Sequence, residues 1–249
     1  MFYKYIMNEK DYYKKYCEYK HKYLELKKTL KIKNNEHIEN INLDIDYMKS
    51  NKFIEEIKKL RNKYFGQHNY ESGGIINISK NKIQIKMTDN YDKNDGSILY
   101  PKKMLDNIDE KIELMWHTHN LYRKFKCEPP SGADFIILLQ LAHYKNKYPF
   151  GIALHDDGFW VYKIKTKLTQ KQKEHIDEFI NWMNWMINTL NDIYCNPDEN
   201  IIKKYHKDDL KTYNITKIKT LDEYYNIINN IFHGGIFVEF IPYEIKGKK

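Results

Sequence analysis

Residues 111–144 read KIELMWHTHNLYRKFKCEPPSGADFIILLQLAHY, and three patterns follow one another in this stretch. Ile112, Leu114 and Trp116 alternate with Glu113, Met115 and His117, the period of two that a β-strand imposes. The run ends in His117-Thr118-His119-Asn120, and a polar loop follows. Ser131-Gly132-Ala133-Asp134 then opens a strongly apolar helix that runs to about Tyr144. The next stretch, FGIALHDDGFWVYKI at residues 150–164, supplies two β-rich runs about an Asp-Asp-Gly turn. The middle third of the chain is therefore expected to be an α/β core.

Upstream, Ser50 to about Phe65 reads as a helix with Phe53, Ile57, Leu60 and Tyr64 on one face, Ser50 as N-cap and Gly66 as stop. Gly74–Ile78 and Ile83–Met87 follow as two strand-like runs, expected to form a hairpin about Asn81. Further back, Tyr12, Tyr16, Tyr19, Tyr23, Leu26 and Leu30 recur at spacings of four and three, the stripe of an amphipathic helix. That stripe suits equally the protein's own core or a protein partner's helix. An asparagine-rich linker follows it. Downstream, Ile176, Phe179, Ile180, Met183, Ile187 and Leu190 mark another amphipathic helix, halted before Asn196-Pro197. Thr220 and Glu223 form a capping box ahead of a helix ended by Gly234, and IFVEFI then reads as a strand. The expected division is an N-terminal helix and linker over 1–46, a core over 47–166 and a mainly helical extension over 167–249.

Composition narrows the function classes. The 249 residues are 41% hydrophobic and 31% charged, which is globular rather than disordered. The longest mostly apolar stretch is about eight residues against the roughly 20 that cross a bilayer, so no membrane association is expected. Lysine and glutamate in MFYKYIMNEKDYY stand where a secretory leader needs apolar residues. Only Cys17, Cys127 and Cys195 are present, which is neither a disulfide framework nor a paired thiolate site. The expected location is a reducing one, the cytoplasm, and the host's cytoplasm if the gene is viral. The net charge of +8 invites a nucleic-acid reading, yet all but two of the 42 basic residues are lysine, Arg61 and Arg123 being the exceptions. Base reading favours the bidentate guanidinium, so no specific nucleic-acid binding is expected. The richness in lysine, asparagine, isoleucine and tyrosine looks like codon bias in an AT-rich genome, such as that of a large DNA virus or a protist.

The chemistry concentrates at the end of the central strand. Residues two apart on a strand project from one face, so His117 and His119 can aim both imidazoles at one point. Asp134 lies fifteen positions after His119, at a helix mouth where a carboxylate can complete the set. Two imidazoles, one carboxylate and a water make a catalytic zinc arrangement. Each element also has a plainer reading: one HxH arises readily among ten histidines, and Ser131 with Asp134 is also a capping box. A water on zinc needs a general base that is not itself a ligand. Glu71, in Tyr70-Glu71-Ser72-Gly73-Gly74, is the candidate, with two glycines that let the backbone turn tightly beside it.

The order of these elements resembles the JAMM motif of the JAB/MPN metalloprotease family: E-S-G-G-I-I after a helix, a strand ending W-H-T-H-N, and P-S-G-A-D opening a helix. The resemblance covers roughly residues 50–166 and fills all five motif positions. It implies a cytidine-deaminase-like α/β sandwich of mixed sheet and flanking helices. It implies zinc held by His117, His119 and Asp134, with Glu71 activating the water and Ser131 stabilising the tetrahedral oxyanion. It also implies hydrolysis of an isopeptide or peptide bond, usually one joining ubiquitin or a ubiquitin-like protein to a lysine. Asn120 stands where the family has proline, and eleven residues separate His119 from Ser131 where the family has seven. That longer loop bears on substrate contacts. Cys127 within it is similar to a cysteine that some deubiquitinating members carry before the serine, and reads as a buried small residue.

Rival chemistries fit less well. A nucleobase deaminase needs H-x-E followed by P-C-x-x-C, and the chain has no CxxC. Barrel phosphoesterases and amidohydrolases that open with HxH need eight βα units, and too few strands follow Lys167. Non-catalytic scaffolds of the same family, and JAB proteins associated with DNA repair, stand as the alternative, although scaffolds typically lack one or more ligands.

Overall fold

The computed structural model describes residues 45–64, 70–79, 82–88, 91–92, 97–119, 129–195, 215 and 218–244. The expected tyrosine helix and linker, the Gly66 stop, the turn at Asn81, Asn120, Cys127 and Asn196-Pro197 lie outside them. The described residues open with α1 (Ile45–Met48) and α2 (Asn51–Tyr64), then β1 (Gly73–Ser79), β2 (Lys82–Thr88), α3 (Lys102–Asp106) and β3 (Glu113–Thr118). It continues through α4 (Gly132–Lys145), β4 (Phe150–Leu154), β5 (Gly158–Ile164), α5 (Gln170–Glu174), α6 (Ile176–Cys195), α7 (Leu221–Ile231) and β6 (Ile236–Pro242).

Among the described residues the strands form one mixed sheet of six in the order β2-β1-β3-β4-β5-β6. Every neighbouring pair is antiparallel except β3 and β4, which α4 joins and which run parallel. A parallel pair needs a long crossover, and a helix in that crossover covers one sheet face.

Alternation along the strands divides the core in two. Ile76, Leu114, Trp116, Ile152, Phe159 and Val161 face α2, whose Phe53, Ile54, Ile57 and Leu60 are buried against them. Ile75, Met115, Ala153, Trp160 and Tyr162 face the other way, into a core shared with α4, α6 and α7. Burial on both faces explains why β5, GFWVYKI, is buried at every position. The segment after residue 167 shares this core, and β6 pairs along β5 from Gly158↔Pro242 to Ile164↔Ile236. Among the described residues no helix is long and apolar enough to cross a membrane.

Local capping sets the helix ends. Ser50 Oγ accepts the Phe53 N–H at 3.3 Å at the start of α2. At α7, Thr220 Oγ1 accepts the Glu223 N–H and Glu223 Oε2 accepts the Thr220 N–H, both at 3.2 Å. Gly234, at φ 72, takes the left-handed turn that releases the chain from α7 towards β6.

Lys163 on β5 is buried, its ammonium 4.4 Å from the Phe150 ring centre. Burial lowers its pKa to about 8, against the opposing pull of the Glu110 carboxylate. Above that pH and up to the ordinary lysine range, the unfolded chain keeps a proton that the folded chain has released, so stability rises with pH across this window. Lys163→Met is expected to raise the melting temperature at pH 7 and to flatten its rise between about pH 8 and 10, as read by thermal melts at a series of pH values.

Candidate metal centre

The site is assembled where β3 ends. His117 pairs with Gly73 of β1 on one side and Ala153 of β4 on the other, with its side chain on the face that α4 covers. His119, two residues on, lies on the same face, and its N–H continues the ladder to Leu154 O at 3.2 Å. Both imidazoles are buried. Trp116 points to the opposite face and packs among the residues under α2.

Helix α4 returns over this face and brings Asp134, in its first turn, to the two rings. Asp134 Oδ1 is 3.1 Å from His117 Nε2, and Oδ2 is 3.6 Å from His119 Nε2. Ligand atoms of the three residues all lie within 4.8 Å of one another. Two imidazoles on one tetrahedral metal, with metal–nitrogen bonds of about 2.0–2.1 Å, hold their ring centres about 5 Å apart. Those of His117 and His119 are 5.0 Å apart, inclined at 45°. His117 Nε2 is buried and faces Asp134 Oδ1 without finding a partner in hydrogen-bond geometry among the described residues, so its lone pair can serve a metal. Two buried imidazole nitrogens and a carboxylate can hold a metal ion here.

Asp134 serves two neighbourhoods at once. Its Oδ2 accepts the Ser131 N–H at 2.6 Å and the Ser131 hydroxyl at 3.0 Å, as the third helical residue of a capping box does. Burial by itself would raise the Asp134 carboxyl, but the facing His117 and His119 and the Ser131 N–H outweigh it and hold the group well below the usual carboxylate range. Asp134 is thus a carboxylate at neutral pH, the form a metal requires. The cap and the ligand readings of Ser131-Gly132-Ala133-Asp134 are both realised by the same side chain.

Glu71 reaches the same end of the sheet. Ser72 and Thr118 face each other, with Ser72 N–H on Thr118 Oγ1 at 2.9 Å and Thr118 N–H on Ser72 O at 2.8 Å. Carried two residues back from Gly73↔His117, the register puts Glu71 level with His119 and, by the period of two, on the histidine face. Its Oε2 accepts the Ile98 N–H at 3.1 Å. Gly73 makes room for that segment, because a Cβ there would lie 2.9 Å from Ile98 Cγ1 and 2.7 Å from Trp116 O. Glu71 is not one of the clustered ligand residues.

Three further residues border the site without any warning in the sequence. Tyr100 donates its hydroxyl to Trp116 O at 2.7 Å. Tyr162 sets its ring edge-on to His117, 6.4 Å between centres. Burial pushes both phenols well above the usual tyrosine range, and the nearby charges of Asp134 and Glu71 add to it. His155 follows β4 directly, is buried, and holds its ring 6.4 Å from that of His119. That separation exceeds the spacing of two imidazoles on one tetrahedral metal, which makes His155 a neighbour of the cluster rather than a fourth ligand.

Comparison of the chain with protein-family models, with curated proteins and with solved structures finds no match.

Proposed function

We propose that the chain is a zinc-dependent peptidase of the JAMM type, with the mixed sheet, α2 and α4 forming an MPN-like core. The observation that carries this reading is the convergence of His117, His119 and Asp134 at the end of β3; the register of β1 on β3 extended to Glu71 brings that carboxylate to the same end of the sheet. His117, His119 and Asp134 would hold the zinc. When bound, zinc supplies Lewis-acid activation of a water and of the scissile carbonyl. The Glu71 carboxylate accepts a proton as the water oxygen bonds to the carbonyl carbon. Ile98 N–H fixes one of its oxygens, leaving the other to take the proton. Ser131 stabilises the oxygen that gains charge, by redirecting the hydroxyl hydrogen that otherwise goes to Asp134. Glu71 then returns the proton to the departing amine as the carbon–nitrogen bond breaks, so that one water is consumed and an acid and an amine are released.

The substrate proposed is a ubiquitin or ubiquitin-like conjugate cleaved at its isopeptide bond. Segments 88–103 and 120–130 lie between the motif elements and are the places for contacts that choose among such conjugates. Metal analysis of the purified protein together with a ubiquitin-chain cleavage assay tests the reading. About one zinc per chain and hydrolysis that a chelator abolishes are expected for a three-ligand site. Protein that takes up no zinc would remove the proposal.

Ser131→Ala separates two roles. Loss of the cap alone costs about 1 kcal/mol of stability with normal turnover. Loss of an oxyanion donor costs roughly 2.7–4 kcal/mol in the barrier, a fall in kcat of about a hundredfold or more. The expected result is the second, with only a small shift in melting temperature.

A further inference from the structure

The mouth of α4 is held from outside the helix. Pro129 and Pro130 lead into Ser131, and both are buried. Proline has no N–H, so the polar groups this entry must satisfy are its carbonyls. Asn191 of α6, itself buried, takes both: its Nδ2 donates to Pro130 O at 2.9 Å and to Pro129 O at 3.3 Å. Its Oδ1 accepts the Tyr224 hydroxyl of α7 at 2.6 Å. Asn188, one turn earlier on α6, accepts the Gly132 N–H at 2.8 Å, a donor that α4 cannot satisfy itself. Gly132 sits directly against α6, where a Cβ would come within 2.5 Å of the Asn184 backbone. The side chain that these contacts place is Asp134, through the two hydrogen bonds from Ser131.

We propose that Asn191 is a positioning residue of the metal centre, setting the affinity for a divalent metal by holding the Pro129-Pro130 entry of α4, and with it Asp134, against β3. The proposal rests on the reading of His117, His119 and Asp134 as metal ligands. Every hydrogen-bonding group of the Asn191 amide points along this one line, from α7 through α6 to the helix mouth. Groups that orient a ligand in this way change affinity without touching the metal. The segment after residue 167 thereby has a part in the site as well as in the core.

Metal affinity tests it, measured by chelator competition for Zn(II) and by the visible absorption of the Co(II)-loaded full chain. Asn191→Asp keeps the shape and the acceptor for Tyr224 but cannot donate to the prolyl carbonyls. Asn191→Leu combined with Tyr224→Phe removes the amide together with its α7 partner, which protects the fold if the aspartate does not. Both are expected to weaken Zn(II) binding by about 10- to 100-fold and to change the Co(II) spectrum. Ile231→Ala, a core variant of α7 outside this hydrogen-bond line, is the control: it lowers the melting temperature and leaves affinity and spectrum as in the unaltered chain. Wild-type affinity in either folded Asn191 variant, or an equal loss in the control, overturns the inference while leaving the metal site standing. An unaltered chain that binds neither metal overturns both.

Discussion

Glu71→Gln is expected to keep the bound metal and to lose hydrolysis, with kcat falling by about 10²–10⁴-fold, the range that a general base contributes. The amide preserves the shape of the side chain and its acceptor for the Ile98 N–H. What it cannot do is take the proton from water. Because Glu71 stands apart from the clustered ligands, zinc per chain should be unchanged, and a fall in KM or in metal content is not expected. The measurement is steady-state cleavage of a ubiquitin conjugate beside metal analysis of the same preparation. Loss of zinc would make Glu71 a ligand, and wild-type turnover would dismiss it as the base.

His117→Ala should abolish both metal binding and activity. His117 is buried between β1 and β4 with Nε2 directed at Asp134, so alanine removes one of the three proposed ligands and leaves a buried carboxylate with less to offset it. Asp134 is held well below the usual carboxylate range, against the effect of burial, chiefly by His117. Added zinc gives a second readout. A ligand present at about 100 times its Kd stabilises the folded chain by about 2.7 kcal/mol, so the unaltered protein should melt higher with zinc and His117→Ala should not. A variant that still gains stability from zinc would show that the metal binds elsewhere.

Much of this site was legible because its signals are local. The parity that puts His117 and His119 on one face belongs to any strand, and the alternation of Ile112, Leu114 and Trp116 already marked one there. The capping boxes at Ser131 and Thr220 involve residues three apart, and Ser50 caps α2 through Phe53 in the same way. Tyr100, Tyr162 and His155 were not legible. Each comes to the site by strand pairing or loop closure with residues far along the chain, and none carries a spacing that a neighbour in sequence would reveal. Glu71 was visible through the two glycines beside it and the order of motif elements, but not through any contact. The hydrogen bond from Ile98 that holds it spans 27 residues.

Residue identity and short-range period thus determined which side chains offer metal-ligand chemistry, which face of β3 carries it, and that the centre of the chain is mixed α/β. Tertiary structure decided that the three candidate ligands meet. Asp134 reaches the histidines only because β3 and β4 pair in parallel and α4 must cross the sheet face between them. Its first turn is then fixed by Asn188 and Asn191, more than fifty positions away on α6. Likewise, IFVEFI reads as a strand by composition, but only the pairing of β6 with β5 makes it the sheet's edge and draws α6 and α7 over the core. The physical reason is one of range. Backbone propensity, capping and face parity act over a few residues, whereas burial and ladder hydrogen bonds are satisfied between segments that the chain itself keeps far apart.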